Sequence, residues 1–143
     1  MNWLLDTCVL SEYAKHQPHA GVLAWLDAQP EAGLFICEVS LAEIAKGIAK
    51  LSARQGATDA RVTQLQLWQA RLGQRFEGRT LPVNDAVWRL WAELSASAEL
   101  DGRPLSPMDG LIMASALSRG LGLVTRNTAD FARHPQVFNP WAA

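Results

Sequence analysis

The chain has 143 residues, of which 49% are hydrophobic, enough for one compact domain with its own core and too few for two domains of ordinary size. Thirteen basic and fourteen acidic residues give a formal charge of −1, which excludes an overall positive field for nucleic acid, so any phosphate contact needs a local patch. Because the sequence contains no membrane-length apolar run and no signal-peptide pattern, we expect a single cytoplasmic domain over residues 1–143.

Short apolar runs alternate with helical patterns through the first half of the chain. We expect a strand at 2–5, a short helix at 10–15, an amphipathic helix at 19–28 and a second strand at 34–37. Residues 40–43 then have the form of a capping box, which predicts that a third helix begins there. Helical spacing resumes after an interruption at Gly56 and continues to about Phe76, so we expect a helical hairpin.

The second half of the chain continues the alternation. It predicts a short strand at 79–83, a helix capped by Asn84, a loop at 101–104, a helix that begins at Ser106 and Pro107, a strand at 121–125 and an edge strand at 137–138. Strands joined by helical crossovers indicate an α/β fold with a mainly parallel sheet. Ligands of such sheets bind outside the carboxyl ends of the strands.

Four acidic residues lie beside these apolar segments: Asp6, Glu43, Asp109 and Asp130. Asp6 follows the first strand and Asp130 comes shortly after a later one, while Glu43 and Asp109 lie in the first turns of helices. Carboxylates gathered at one buried edge repel each other and raise one another's pKa. A hard divalent cation such as Mg²⁺ or Mn²⁺ relieves that repulsion, so the pattern predicts a metal site.

Each acid also has a simpler structural explanation. Glu43 would return a hydrogen bond to the Ser40 backbone in a capping box. Asp109 likewise stands three residues after a residue that can start a helix, Ser106. Asp6 would form a turn or cap the short helix after it. Asn127 and Asp130 would form a capped turn. No single acid decides between the two interpretations.

The histidines and cysteines favour neither zinc nor disulfides. His16, His19 and His134 lie in polar, loop-like surroundings without a paired metal spacing, and we expect them at the surface. Cys8 and Cys37 form no zinc spacing and no disulfide framework, so we expect small, buried, reduced thiols without a catalytic role.

A local basic patch is available beside the acids. Lys46, Lys50 and Arg54 recur at four-residue spacing on the helix that carries Glu43, and they are candidates for contact with a phosphate backbone. Arg126 is a further candidate near the later acids. A solvated helix face is the alternative explanation of such a charge stripe.

Four segments together resemble the PIN-domain family, and in particular the VapC-type ribonuclease toxins of bacterial type II toxin–antitoxin systems. The segments are Leu4-Leu5-Asp6-Thr7, Ser40-Leu41-Ala42-Glu43-Ile44, Ser106-Pro107-Met108-Asp109-Gly110-Leu111-Ile112, and residues 123–131 with the sequence LVTRNTADF. The ending Phe138-Asn139-Pro140-Trp141 resembles the FitB-like subgroup. The likeness covers nearly the full chain.

The resemblance implies a three-layer α/β/α sandwich with four or five sheet strands and a helical hairpin insertion. It implies that Asp6, Glu43 and Asp109 are the central acidic residues of the metal site. For the fourth acidic position we favour Asp130, with Asn127 as a supporting ligand. The resemblance also assigns supporting hydroxyl positions to Thr7 and Thr125.

The function implied by the resemblance is a Mg²⁺-dependent endoribonuclease toxin, with Mn²⁺ able to replace Mg²⁺. The implied partners are an RNA substrate and a VapB-like or FitA-like DNA-binding antitoxin, in a homodimer that forms a heterotetramer or larger complex with the antitoxin. The alternative is a catalytically weak PIN domain that serves as a dimeric scaffold for a DNA-binding antitoxin. A third hypothesis, another Mg²⁺ phosphohydrolase, is weakened because Asp6-Thr7-Cys8 offers a single carboxylate.

Overall fold

A computed structural model describes residues 1–143 as a parallel sheet between two layers of helices. The elements are β1 (Trp3–Leu5), α1 (Thr7–Glu12), α2 (Ala20–Ala28), β2 (Leu34–Cys37), α3 (Glu38–Gln55), α4 (Ala60–Arg75), β3 (Thr80–Leu81), α5 (Asp85–Leu100), α6 (Pro107–Ser118), β4 (Gly122–Val124) and β5 (Val137–Phe138), with 3₁₀ turns at Glu31–Gly33 and Thr128–Phe131. The five strands lie in the order β3-β2-β1-β4-β5, and every neighbouring pair is parallel. The predicted α/β fold is confirmed.

Two apolar cores hold the layers together, one on each face of the sheet. Leu4 points into the core that α5 and α6 cover, and its neighbour Leu5 points into the core that α1 to α4 cover. Both side chains are fully buried, as alternation along a strand requires. Because β1 is the central strand, the residue that follows Leu5 emerges at the middle of the sheet edge.

The predicted starts of two helices are wrong. The short helix begins at Thr7 instead of residue 10, because Asp6 already caps it by accepting a hydrogen bond from the Thr7 backbone. The third helix begins at Glu38, where the Cys37 thiol accepts a hydrogen bond from the Val39 backbone. The predicted capping box therefore does not form.

The predicted α3–α4 hairpin and the helix starts at Asn84 and Ser106 are confirmed. The strand expected at 79–83 shortens to Thr80–Leu81, since Pro82 has no N–H to donate to a sheet ladder. None of the helices combines the length and the apolar character that a membrane span requires.

His134 is buried, so its predicted surface position is wrong. Its Nδ1 accepts from the Gln136 backbone at 2.9 Å, which leaves Nε2 to donate to the Leu121 carbonyl at 3.0 Å. Burial lowers the pKa of this imidazole, and the neutral ring joins the start of β4 to the segment before β5. Both cysteines are free as expected, although Cys8 is half-buried whereas Cys37 is fully buried.

An ion cluster fixes the entry to β2 and gives a prediction for pH dependence. Arg75 binds Glu31 through Nε and Nη2 at 2.9 and 3.0 Å, and Arg79 adds a contact at 2.8 Å. These hydrogen bonds lower the pKa of Glu31 from 4.5 to about 2, so the stabilisation is present above pH 4.5 and is lost as pH falls toward 2.

Glu31→Gln is therefore expected to lower the free energy of unfolding at pH 7 by about 1 kcal/mol or less, because the carboxylate is half-exposed. Urea denaturation at pH 7 and near pH 2 measures the difference, which should shrink at the lower pH. Glu77→Gln is the matched control, since Glu77 is exposed and forms no ion pair. An unchanged difference at both pH values would contradict the assignment.

Candidate functional site

Asp6 lies at the centre of the site, where β1 ends. Its side chain is buried, with 4% exposure, and both of its oxygens accept hydrogen bonds. Oδ1 accepts from the Thr7 backbone at 2.7 Å, and Oδ2 accepts from the Thr125 hydroxyl at 2.7 Å and from the Cys8 thiol at 3.4 Å. These donors fix the orientation of the carboxylate.

Thr125 connects the Asp6 carboxylate to the loop after β4. Its hydroxyl donates to Asp6 and accepts from the Asn127 backbone at 3.0 Å, while its own backbone N–H donates to the Phe138 carbonyl in β5. These bonds join Asp6, the loop after β4 and β5. The loop that carries Asn127 and Asp130 is therefore fixed relative to Asp6.

Glu43 is oriented by a second hydroxyl network. The Thr7 hydroxyl donates to Glu43 Oε1 at 2.7 Å and lies 2.9 Å from the hydroxyl of Ser40. Because Thr7 has a single hydroxyl proton, Ser40 must donate to Thr7. Ser40 is fully buried inside α3, so its role is to position Thr7 and Glu43 rather than to cap a helix.

Ser40 is a residue of this site that the sequence interpretation assigned to another role. The available signal was the apolar strand that runs directly into the helix, which would have placed Ser40 inside α3 instead of at its start. The thiol of Cys8 is likewise part of the network. Burial, together with the nearby charge of Asp6, raises the pKa of Cys8 to about 11, so the thiol stays protonated as a donor.

Asp109 approaches the same edge from the first turn of α6. Ser106 caps this helix by accepting a hydrogen bond from the Asp109 backbone at 3.3 Å. Burial raises the pKa of the Asp109 carboxyl, a hydrogen bond with Ser106 opposes the rise, and the charges of Asp6, Asp130 and Glu43 add to it. The charges of the other three acids are therefore close enough to act on Asp109.

Asn127 and Asp130 are the two candidates for the fourth acidic position of the site. Asn127 and Asp130 are both exposed, in and before the 3₁₀ turn at Thr128–Phe131. Asn127 donates its backbone N–H to the Thr125 hydroxyl, and its side chain does not cap the 3₁₀ turn. Asp130 lines a cleft with Asp109 and acts on the Asp109 pKa. These observations favour Asp130.

The donor set suits a hard divalent cation, although the acids do not enclose one. No three His, Cys, Asp or Glu side chains converge closely enough to hold a metal ion among them. The acids nevertheless offer carboxylate oxygens from four chain segments, and a cation would offset the charges of Asp6, Asp130 and Glu43, which add to burial in raising the pKa of Asp109. A cation held here would complete its shell with water or phosphate oxygens.

Two clefts open on either side of the first turn of α6. The first, here called the arginine cleft, has a volume of about 900 Å³ and is lined chiefly by Asp101, Arg103, Ser106, Asp109, Asp130 and Arg133. The second, here called the lysine cleft, has a volume of about 430 Å³ and is lined by Ala42, Glu43, Lys46, Gly47, Lys50 and Met108. Each cleft therefore combines acidic residues of the site with basic side chains.

The candidate basic residues separate into two groups. Lys46 and Lys50 are exposed, form no ion pair and share the lysine cleft with Glu43, whereas Arg54 lies beyond this cleft on a later turn of α3. The guanidinium of Arg126 stacks over the ring of Trp141, with its carbon 5.5 Å from the ring centre. The structure thus brings two of the four candidates next to an acid of the site.

Comparison with known proteins gives consistent similarities. A family model described as PIN domain matches residues 3–136. VapC ribonuclease Y4jK of Sinorhizobium fredii is 34% identical over 96% of this chain and 96% of its own length, and Toxin FitB of Neisseria gonorrhoeae is 34% identical over 96% and 97%. The structure of FitAB bound to an IR36 DNA fragment superposes with a TM-score of 0.84 at 30% identity, covering 97% of this chain and 95% of that one. FitAcB from Neisseria gonorrhoeae gives a TM-score of 0.83 at 31% identity, covering 99% of both.

Proposed function

This chain belongs to the PIN-domain family, and on that premise we propose that it is the Mg²⁺-dependent endoribonuclease toxin of a toxin–antitoxin pair. The observation that carries the proposal is the gathering of four carboxylates at the carboxyl edge of the sheet, where their charges act on Asp109. A fold that served only as a scaffold would gain nothing from this repulsion.

Asp6 and Asp109 are the proposed direct ligands of the ion, and Glu43 and Asp130 would complete its surroundings or hold the attacking water. When bound, the ion would supply charge neutralisation at the scissile phosphate and activation of water. The chain's own contribution is orientation: Thr125 holds Asp6, and Ser40 holds Glu43 through Thr7.

RNA is the proposed substrate because one similar protein is named a VapC ribonuclease and because unpaired lysines adjoin Glu43. Lys46 and Lys50 lie one turn apart on α3, on the side that carries Glu43. Ammonium groups at this spacing can follow successive phosphates of a single strand. Arg54 extends the same stripe, and Arg126 is a weaker candidate because it stacks on Trp141.

An antitoxin is the proposed protein partner. Similar structures are toxin–antitoxin complexes, and one of them, FitAB, is bound to a DNA fragment. By analogy, we propose a FitA-like or VapB-like DNA-binding partner, a homodimer of this chain and a heterotetramer or larger complex with the partner. The DNA-bound FitAB complex also favours the second candidate function, a catalytically weak scaffold that carries an antitoxin onto DNA.

Removal of divalent metal separates the two functions. After treatment with a chelator, the purified protein is expected to leave cellular RNA intact, and added Mg²⁺ or Mn²⁺ is expected to restore cleavage. Gel electrophoresis of the RNA measures the products, with the Asp6→Asn variant as the background. Absence of cleavage with either ion would overturn the ribonuclease proposal and favour the scaffold.

A further inference from the structure

The arginine cleft contains a free cation that the proposed chemistry does not use. Arg103 is exposed and forms no ion pair, although Asp101, Asp109 and Asp130 line the same cleft. The charge of Arg103 is therefore not neutralised by an ion pair, in contrast to that of Arg133, which pairs with Asp101.

The backbone of Arg103 is held by the end of α5. The Arg103 N–H donates to the Ala98 carbonyl at 2.9 Å, and the Gly102 N–H donates to the Glu99 carbonyl at 3.0 Å. With Gly102 at φ 72°, these two bonds form a Schellman motif, which stops the helix and directs the chain away from it. The backbone of Arg103 is therefore fixed by this turn, and its guanidinium is exposed and unpaired.

Arg133 also lines the arginine cleft. Its two terminal nitrogens reach Ser97 and Asp101 at the end of α5, so its guanidinium is braced. Two of the five N–H donors of this guanidinium are used in these bonds, and its charge is paired with that of Asp101. The cleft thus has one braced arginine and one free arginine, and Arg103 supplies the positive charge not already used.

The position of the arginine cleft relates it to the proposed substrate. Asp109 lines it, whereas the adjacent Met108 lines the lysine cleft, so the first turn of α6 separates the two clefts. A single RNA strand whose scissile phosphate lies at the four acids must continue in both directions from that point. If one continuation passes Lys46 and Lys50, the arginine cleft is open to the other, on the far side of the first turn of α6.

We propose that Arg103, supported by Arg133, binds a backbone phosphate of RNA on the side of the scissile bond opposite to the phosphates that Lys46 and Lys50 contact. This inference rests on the proposed ribonuclease function and adds a second phosphate subsite to it. Guanidinium groups match phosphate oxygens in a two-pronged geometry, which makes an unpaired arginine a suitable ligand. The subsite recognises the backbone and carries no base specificity.

Binding without cleavage provides the first test. In the Asp6→Asn background, anisotropy of a labelled single-stranded RNA of mixed sequence is titrated at several salt concentrations in Mg²⁺. The salt slope is that of the logarithm of the binding constant against the logarithm of the salt concentration. Adding Arg103→Gln is expected to make this slope shallower by about 0.7, the contribution of one phosphate contact on a single strand. Arg119→Gln is the matched control, because Arg119 is exposed at the far end of α6 and lines neither cleft.

Cleavage of truncated substrates assigns the side. With an RNA cut at a mapped position, Arg103→Gln is expected to lower kcat/KM about tenfold, the loss of one charge-assisted contact. On a substrate that lacks the nucleotides on one side of the cut, Arg103→Gln should no longer lower kcat/KM. On a substrate that lacks the nucleotides on the other side, Lys50→Gln should no longer lower kcat/KM. Equal effects of Arg103→Gln and Arg119→Gln, or loss of antitoxin binding without any effect on RNA, would overturn the subsite.

The two proposals fail in different ways. If the wild-type protein cuts no RNA in Mg²⁺ or Mn²⁺ and Arg103→Gln still lowers the salt slope of RNA binding, the ribonuclease function fails, and what remains is a phosphate contact at Arg103 with no side of a cut assigned to it. If the wild-type protein cuts RNA and Arg103→Gln changes neither slope nor rate, the subsite fails alone.

Discussion

Asp6→Asn is expected to lower kcat/KM for RNA cleavage about 1,000-fold, because a metal ligand contributes several kcal/mol to stabilising the charge of the transition state. The substitution removes one negative charge at the centre of the site and changes little else. Asparagine caps helices about as well as aspartate, so α1 keeps its start at Thr7. The hydroxyl of Thr125 would meet an amide in place of a carboxylate oxygen, at a cost of about 1 kcal/mol in stability.

Asp59→Asn is the matched control for this substitution. Asp59 also caps a helix, accepting hydrogen bonds from the backbones of Arg61 and Val62 at the start of α4, and it lines neither cleft. Both variants should retain the helical content and near-wild-type thermal unfolding. Activity of Asp6→Asn equal to that of Asp59→Asn would remove Asp6 from the proposed metal site.

The fold followed from patterns that are local in the sequence. Alternating apolar runs placed β2 at residues 34–37 without error, and Ser106 with Pro107 marked the start of α6. Errors arose where a tertiary contact decides a boundary. Ser40 has the sequence features of a helix cap, but its hydroxyl is taken by Thr7, which lies 33 residues earlier in the chain.

His134 shows the same limit for burial. Its neighbours in sequence are polar or small, and nothing local indicates that its ring reaches the Leu121 carbonyl. The pairing of β4 with β5 creates that environment, and strand pairing is a non-local property. Local pattern predicts which segments form strands better than it predicts what each loop residue contacts.

For the candidate site, spacing and residue type selected Asp109 and three acids whose charges act on it, but did not predict the hydrogen-bond partners of these residues. Glu43 had a capping role as its simpler explanation, and the start of α3 at Glu38 removes that explanation. Asp6 does cap a helix, and it also accepts from Thr125, so the structural and functional interpretations apply to one side chain at once. Arg103 had no signal in the sequence, because only the shared cleft relates it to Asp109.

Asp109→Asn is expected to abolish RNA cleavage, again by about 1,000-fold, without destabilising the metal-free protein. The Asp109 carboxylate is half-buried and faces the charges of Asp6, Asp130 and Glu43, so its neutralisation removes repulsion. Loss of a negative charge from the first turn of α6 opposes this gain through the helix dipole. We expect the free energy of unfolding in chelator to be unchanged or higher by up to about 1 kcal/mol.

Asp109→Asn should keep or gain stability in chelator, but it should gain less stability than the wild type when Mg²⁺ is added. A ligand that binds the native state raises the melting temperature by mass action, so wild-type protein should gain stability with Mg²⁺ and Asp109→Asn should gain less. Asp85→Asn is the control, since it removes a first-turn aspartate of α5 that pairs with Arg89 at 2.9 Å outside the site. The free energy of unfolding of Asp85→Asn in chelator should be lower than that of the wild type by a few tenths of a kcal/mol. Its melting temperature should rise with Mg²⁺ as much as that of the wild type. If Asp109→Asn unfolds more easily than wild type in chelator and responds fully to Mg²⁺, Asp109 has a structural role at the helix start and no role in holding the ion.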